Sequence, residues 1–543
     1  LSGKWRPRLR AIGNNVPAVD VAIVCCKEPL AIILDTVRAV LNIDYPDSQF
    51  RLVVSDDGDQ PEVRQGVAEI QAEFPCRKLF YTARQKTAQN SHKAGNLNHA
   101  LEFYTSLPGE PAPFFAGIDA DMIVEKRWLR AQIGYLMVDP ALAFTCPPPR
   151  FYNLPVNDPL SQSLLIFQRY EEIVKDRAGF PWCTGSGWIM RRTALDQIGG
   201  FPDGSLTEDL LCGNLLLGKG WKAAYAMETL QWGLVPDSYY SHVQQRKRWS
   251  VGASQAGILM KFCLTGSKAR QMTVFQRVFG FFYPMQSVAS TLGVFGVLGY
   301  LISFLCGISA AQYSNDEELK SLVRLSCLTH LFYFVRLCQI SVLGGVAATF
   351  REMVSSHFLI PYFAYDHWKT FLLPRWLGGR PEPFSARFVA TGSIVDDLHE
   401  WNPLRRAPLY RRLKSVLIKD GAIFQIFIAF AHIVGVGLNL KRAFALHEPY
   451  TKGFNIYLLT RIFWVPVSWP LNIAVFIRPL QYVLFPPSVA DRESLLDRDD
   501  KGVAYPKASA RVPKFTHLGL GMELFWLLQA IYALFMLIST FYY

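Results

Sequence analysis

The 543 residues allow two or more domains, and an average composition that is half hydrophobic and 18% charged hides a division along the chain. A net charge of +12 raises the question of nucleic acid, but the basic residues gather beside apolar stretches, as in Arg405, Arg406, Arg411, Arg412 and Lys414. That is the positive-inside pattern of membrane proteins rather than a nucleic-acid footprint. Ten cysteines with no C-x-x-C spacing exclude a zinc ribbon or thioredoxin-like motif, and fit reduced thiols in a cytosolic domain.

From Leu1 to about Gln276, charged, polar and apolar residues alternate as in a soluble α/β protein. Val19 to Val24 reads as a buried strand ended by Glu28-Pro29, and Ile33 to Leu41 has helical spacing with Ile33, Val37, Val40 and Leu41 on one face. Arg51 to Val54 is a second strand, running into Ser55-Asp56-Asp57-Gly58; Phe114 to Ile118 is a third, running into Asp119-Ala120-Asp121. Strand, helix, strand repetition predicts a mostly parallel sheet with helices on both faces, and ligands bind such sheets beyond the carboxyl ends of the strands. Both acidic clusters fall at those ends.

Residues 278–315 contain no Asp, Glu, Lys or Arg, and one crossing of a bilayer needs roughly 20 apolar residues. The expected spans are Val288–Ala311, Leu325–Phe350, Gly421–Leu440, Ile456–Ile477 and Leu518–Tyr543. Between the second and third, Arg351 to Asp420 reads as interfacial helices and a cytosolic loop, and Ser488 to Lys514 as a flexible polar loop. The division expected is therefore 1–276, a soluble domain with an interfacial lead-in, and 277–543, a membrane region. Arg336, Arg461 and Glu523 inside the expected spans default to channel-facing positions. The chain opens on Leu1 rather than Met, which leaves room for an upstream piece.

Taken singly, the motifs are ordinary. Asp119-x-Asp121 can hold a divalent cation together with substrate phosphates, or simply cap a loop. Asp56-Asp57-Gly58 can be a turn. Thr207-Glu208-Asp209 can be a helix N-cap with acids in its first turn, and Asp209 there can be a general base. Lys93-Ala94-Gly95-Asn96 offers a cation and a small residue for phosphate. In Thr184-Gly185-Ser186 small side chains let a sugar approach the backbone, or make a plain turn. Gln245-x-x-Arg248-Trp249 offers groups for a diphosphate and an indole face for a sugar ring, although a basic-aromatic cluster can also anchor a membrane surface.

In this order, with a membrane region following, Glu28, Asp57, Lys93, Asp119-x-Asp121, Thr184-Gly185-Ser186, Thr207-Glu208-Asp209 and Gln245-x-x-Arg248-Trp249 resemble the processive family-2 glycosyltransferases. The likeness is above all to cellulose synthases and cellulose-synthase-like β-glucan synthases, and runs from Val19 through the third expected span. Phe384 to Thr391 is similar to their gating loop, F-x-V-T-x-K, with Ala390 and Ser393 in place of its Val and Lys. Cys26 stands where many relatives have an aromatic residue. Neither a plant-type zinc-binding segment nor a bacterial-type PilZ barrel is read in these residues, which favours another lineage, fungal by preference.

The resemblance implies an α/β GT-A (Rossmann-like) cytosolic domain followed by an α-helical transmembrane channel. It implies a processive, inverting synthase that takes UDP-glucose and threads a β-1,4 or mixed β-1,3/1,4 glucan across the plasma membrane. Glu28, Asp56 and Asp57 would lie near the uridine; Lys93, Gln245 and Arg248 would face the diphosphate; Phe388 and Thr391 would close over the nucleotide. Asp119 and Asp121 would hold Mg²⁺ or Mn²⁺, and Asp209 would be the general base. Trp249 would stack the acceptor sugar, with Thr184, Gly185, Ser186 and Glu208 beside it. The partners implied are UDP-glucose, the growing polysaccharide and the lipid membrane, with no nucleic acid and with a homo-oligomer left open. Chitin, hyaluronan and mannan synthases share this chemistry, and a non-catalytic transporter is the rival from another class.

Overall fold

The computed structural model describes residues 6–85, 93–380, 382–384, 397–516 and 521–542. Seven strands form the main sheet: Val19–Cys25 (β1), Phe50–Asp56 (β2), Lys78–Thr82 (β3), Phe114–Asp119 (β4), Leu142–Cys146 (β5), Trp188–Arg191 (β6) and Lys222–Tyr225 (β7). Their order is β3-β2-β1-β4-β6-β5-β7. Neighbours run parallel except around β6, which is antiparallel to both β4 and β5. The mostly parallel sheet expected from the sequence is there, with one reversal. That reversal brings the loop before β6 to the edge where the parallel strands end.

The sheet is buried on both faces because its apolar residues alternate. Val21 and Ile23 enter one core cluster, Ala22 and Val24 the other. Leu30–Leu41 (α1) covers the first face through Ile33, Val37, Val40 and Leu41, the stripe its spacing predicts. Lys93–Ser106 (α2), Glu208–Gly218 (α3) and Tyr239–Leu259 (α4) complete the frame of the site; α2 and α3 pack on the second face.

Among the described residues, four helices are long and apolar enough to cross a membrane: Val274–Cys306 (α5), Asp316–Gly344 (α6), Ile423–Leu446 (α9) and Met522–Tyr542 (α10). Between α6 and α9 lie Val346–Phe358 (α7) and Ile360–His367 (α8), within the stretch expected to be interfacial. The expected boundary after residue 276 falls in the first turn of α5, which Thr273 and Gln276 start with a reciprocal capping box. The expected second span covers two elements, because α6 begins at Asp316 and a positive-φ Gly345 separates it from α7. Acidic Asp316, Glu317 and Glu318 hid that start; at a helix N-terminus their charge is favourable.

Two expectations are corrected. Ile456–Ile477 is not one span but two short helices, Lys452–Arg461 and Ser468–Phe476. Pro466, between them, has no N–H with which to continue a helical ladder. Ser488 to Lys514 is not a free loop: Leu496–Arg498 (β8) and Ala504–Pro506 (β9) form an antiparallel hairpin on the α/β half. Leu496, Val503 and Ala504 are buried in the core on the α1 side. Arg492 and Arg498 both donate to the buried Asp35 carboxylate of α1, each at 2.6 Å, and Arg492 also to the Tyr152 hydroxyl at 3.0 Å. Backbone contact between Val489 and Trp401 (3.1 Å) ties the strap to the segment before α9.

Candidate active site

A cavity of about 490 Å³ opens at the carboxyl edge of the sheet. Three strand ends deliver four carboxylates to it: Glu28 after β1, Asp57 after β2, and Asp119 and Asp121 at and after β4. The loop before the reversed β6 delivers Thr184, Gly185 and Ser186; the first turn of α2 delivers Lys93, that of α3 delivers Glu208 and Asp209, and α4 delivers Gln245, Arg248 and Trp249.

Lys93 is the hub. Its ammonium lies 2.5 Å from Asp119 and 3.8 Å from Glu208, and donates to the Gly185 carbonyl at 2.6 Å. Ser186 Oγ accepts the Asp119 N–H at 3.0 Å, which locks the β6 loop to the end of β4. Gly185 has φ +92°, and a Cβ there would stand 3.0 Å from Asp209 Oδ2, so only glycine fits this corner. The Leu210 N–H donates to Asp209 Oδ1 at 2.8 Å. Thr207 occupies the N-cap position of α3, but its side chain makes no cap and meets Ser205 Oγ instead, at 3.2 Å. Gly252 of α4 lets that loop approach, since a Cβ would lie 2.7 Å from the Thr207 methyl. The contact brings the preceding turn of α4, with Arg248 and Trp249, over the acids of α3. Arg246 lies 5.0 Å from the Trp249 ring and donates to the Ser161 carbonyl at 2.8 Å.

Carboxylates outnumber cations here, and their protonation shows it. Burial, then Asp119 and Glu28, push Asp121 up to about 7. Burial raises Glu28 and the neighbouring Glu208 and Asp209 as well. For Lys93 burial works against the ammonium, but Asp119, Glu208 and Asp209 outweigh it and the pKa rises. A pair of carboxylates one residue apart at a strand end, with surplus negative charge around them, suits a divalent cation that shares its shell with substrate phosphates. Asp119 and Asp121 are the residues present that fit it.

Of the site residues read from sequence, Asp56 is not brought to the cavity. As the last residue of β2 it turns inward, and its carboxylate accepts the N–H groups of Gly58 and Gln60 (both 2.7 Å) and the Tyr81 hydroxyl (3.1 Å). It builds the turn that presents Asp57. Asp57 is itself held by a two-point pair with Arg84, at 2.6 and 3.0 Å, which no motif signalled. Phe388 and Thr391 lie outside the described residues. The cavity also takes in residues that sequence reasoning did not single out: Glu171, Trp182, Tyr283, Ser287, Ser290, Glu352, Ser355 and Ser356. They come from the α/β half, α5 and α7, and extend the cavity toward the membrane helices.

Residues 17–252 match the family model described as glycosyltransferase like family 2. They are a family 2 glycosyltransferase domain. Cellulose synthase 1 of Komagataeibacter xylinus is 32% identical over 250 residues, which take in 44% of this chain and 15% of that protein. The UDP-forming cellulose synthase catalytic subunits of Komagataeibacter sucrofermentans and Xanthomonas axonopodis pv. citri are 29% and 30% identical, covering 31% and 32% of their own lengths. The chain thus spans less than a third of these relatives. Among solved structures, a Pyrobaculum calidifontis mannosyltransferase in complex with GDP-Man and Mn²⁺ aligns with TM-score 0.38 at 17% identity, over 53% of this chain and 79% of that one. S. aureus TarS 1–349 in complex with UDP aligns with TM-score 0.34 at 12% identity, over 64% and 90%. The glycosyltransferase domain has the mostly parallel α/β sheet expected, and among the described residues four membrane-length helices follow it.

Proposed function

We propose that this chain is a processive, inverting glycosyltransferase that polymerises glucose from UDP-glucose into a β-glucan and passes it through its membrane half. The observation that carries the reading is the reach of the cavity, whose lining takes in both the acids of the sheet edge and residues of α5 and α7. Besides Trp249 it is lined by Trp182, by Tyr283, Ser287 and Ser290 of α5, and by Ser355 and Ser356 of α7. A second cavity of about 890 Å³ follows the same helix at Tyr300 and Ser303, with Thr329, His330, Tyr333, Trp464 and Trp526 around it. Hydroxyls and aromatic rings suit a neutral sugar polymer: the hydroxyls replace water hydrogen bonds and the rings stack on sugar faces. An enzyme releasing a free product has no need of such a path.

In this reading Asp209 takes the proton of the acceptor hydroxyl as it attacks the donor's anomeric carbon, and a single displacement inverts the linkage from α to β. Its raised pKa makes it a stronger base than an exposed aspartate. Arg248 and Lys93 face the departing diphosphate, and Gly185 and Ser186 keep the acceptor close to Asp209. Trp249 holds the terminal sugar. Asp119 and Asp121 would hold Mg²⁺ or Mn²⁺, whose charge, when bound, offsets that of the leaving UDP. The protein works in the plasma membrane with its glycosyltransferase domain in the cytosol, where UDP-glucose is made.

Membranes carrying the protein, given radiolabelled UDP-glucose or UDP-GlcNAc with Mg²⁺ or Mn²⁺, test the reading. Insoluble product from UDP-glucose, cut by linkage-specific glucanases and lost in Asp209→Asn, is expected. Product only from UDP-GlcNAc would replace the donor while keeping the mechanism. UDP release without polymer would remove processivity from the reading.

A further inference from the structure

A cation is buried behind the wall of the path just beyond Trp249. Lys175 and Glu172 sit one turn apart, their side chains 2% and 0% exposed, with Nζ 2.6 Å from Oε1. The same ammonium lies 3.5 Å from the centre of the Trp182 ring, 3.6 Å from that of Tyr283 and 4.7 Å from that of Phe167. The other Glu172 oxygen accepts the Trp182 backbone N–H at 3.0 Å, and the Tyr283 hydroxyl donates to Glu171 at 2.6 Å. Trp182 belongs to the loop before β6, Tyr283 to α5, and Phe167 to a π-helical turn, Phe167–Glu171. All three rings line the cavity. A single ammonium therefore gathers rings from three places across the seam between the glycosyltransferase domain and the first membrane helix.

Stability does not account for this pair. A buried Lys–Glu pair is commonly no more stable than apolar residues of the same volume, so the interior gains little from its charge. What the charge adds is direction. An ammonium attracts the faces of aromatic rings and so fixes their planes, which apolar packing leaves looser. Trp182 and Tyr283 meet with centroids 3.7 Å apart and planes inclined by 63°, a corner rather than a flat floor. The Trp182 indole N–H is itself buried and meets no acceptor among the described residues, so the cation rather than a hydrogen bond sets the plane of this ring.

We infer that Lys175 is a positioning residue, whose ammonium sets Trp182 and Tyr283 as a second sugar-stacking corner that grips the growing chain between additions. The inference rests on the polymer-synthase reading and deepens it. Trp249 orients the sugar that reacts; the corner set by Lys175 stops the chain from leaving once UDP departs.

The test compares wild type, Glu172→Gln with Lys175→Met, and Lys175→Arg, in membranes supplied with UDP-glucose. The double variant removes the charge without leaving one buried ion alone. Its mean product length is expected to fall about tenfold while its KM for UDP-glucose stays at the wild-type value. Lys175→Arg, which keeps a cation that stacks on rings, is expected to recover most of the length. Wild-type product length in the double variant would overturn the role of Lys175 and leave the synthase reading standing. Shorter product with an equally raised donor KM would mean general loosening and would also overturn it. Failure of the wild type to polymerise any nucleotide sugar would remove the synthase reading itself, and this inference with it.

Discussion

Gly117 of β4 faces Trp188 directly across the antiparallel pairing with β6. A Cβ at Gly117 would stand 2.2 Å from Cζ2 of that indole and 2.6 Å from Cη2. Carbon atoms in contact rest about 3.5–4.0 Å apart, so Gly117→Ala requires a retreat of about 1.3–1.8 Å. Trp188 has little room to give it: it is 1% exposed and packed against Phe115 and Phe201, with ring centres at 5.8 and 5.2 Å. Forcing a methyl into such a core costs about 1–3 kcal/mol, which for a domain of this size lowers Tm by about 2–12 °C. The strand cannot move freely either, because the Gly117 carbonyl accepts the Gly187 N–H at 2.8 Å and Asp119 follows two residues later. Displacement would draw Asp119 away from Lys93 and raise the KM for the nucleotide sugar. Thermal unfolding and UDP release, measured on the purified protein, read the two effects. The colliding atoms belong to the six-membered ring of the indole, so Trp188→Phe should relieve the clash and the double variant should be no worse than Trp188→Phe alone. Gly117→Ala with wild-type Tm and KM would refute the account.

Burial raises Asp209 above the ordinary aspartate value of about 3.9. A general base works ionised, so the acid limb of kcat/KM is expected to lie above that ordinary value; a limb at or below it would count against Asp209 as the base. Lys93→Met removes the cation shared by Asp119, Glu208 and Gly185, and should weaken UDP-sugar binding at least tenfold in a titration, whereas unchanged affinity would leave Lys93 a merely structural role. Asp35→Asn should release the carboxy-terminal hairpin at a cost of roughly 1–3 kcal/mol, less than for a fully buried pair because Arg498 is 37% exposed. Limited proteolysis should then cut between residues 488 and 516, and an unaltered digest would mean that the apolar contacts of Leu496 and Val503 suffice.

The site was legible where chemistry and local structure coincide. An apolar strand that stops at acids, as at Asp57 and Asp119, marks the carboxyl edge of a parallel sheet, and residues at such an edge converge without further information. Adjacent residues at a strand end are harder to separate. Asp56 and Asp57 look alike in sequence, but strand alternation sends one into the turn and the other to the cavity. Glu171, Trp182, Tyr283 and Glu352 carried no signal because each comes from a different element and only the packing of α5 and α7 against the sheet unites them. The hairpin was hidden by its polarity: its hold on α1 is an ion pair between residues 457 apart, which composition reads as solvent exposure. The false span over Ile456–Ile477 arose because hydropathy sums apolar residues and takes no account of a missing N–H at Pro466.

The hairpin also decides where motion can arise. The glycosyltransferase domain meets the membrane half at several places: α4 leads into α5 and packs on α8, Tyr283 of α5 donates to Glu171, and Ser161 donates to Glu352 of α7. The strap, tied to the segment before α9, grips α1 through Asp35. A body fastened at one point can swing; fastened at several, it behaves as a plate bolted to its housing. In the synthase reading proposed above, advancing a polymer by one sugar would therefore fall to side chains and loops inside the cavity. The membrane helices would then be the fixed frame against which each addition works.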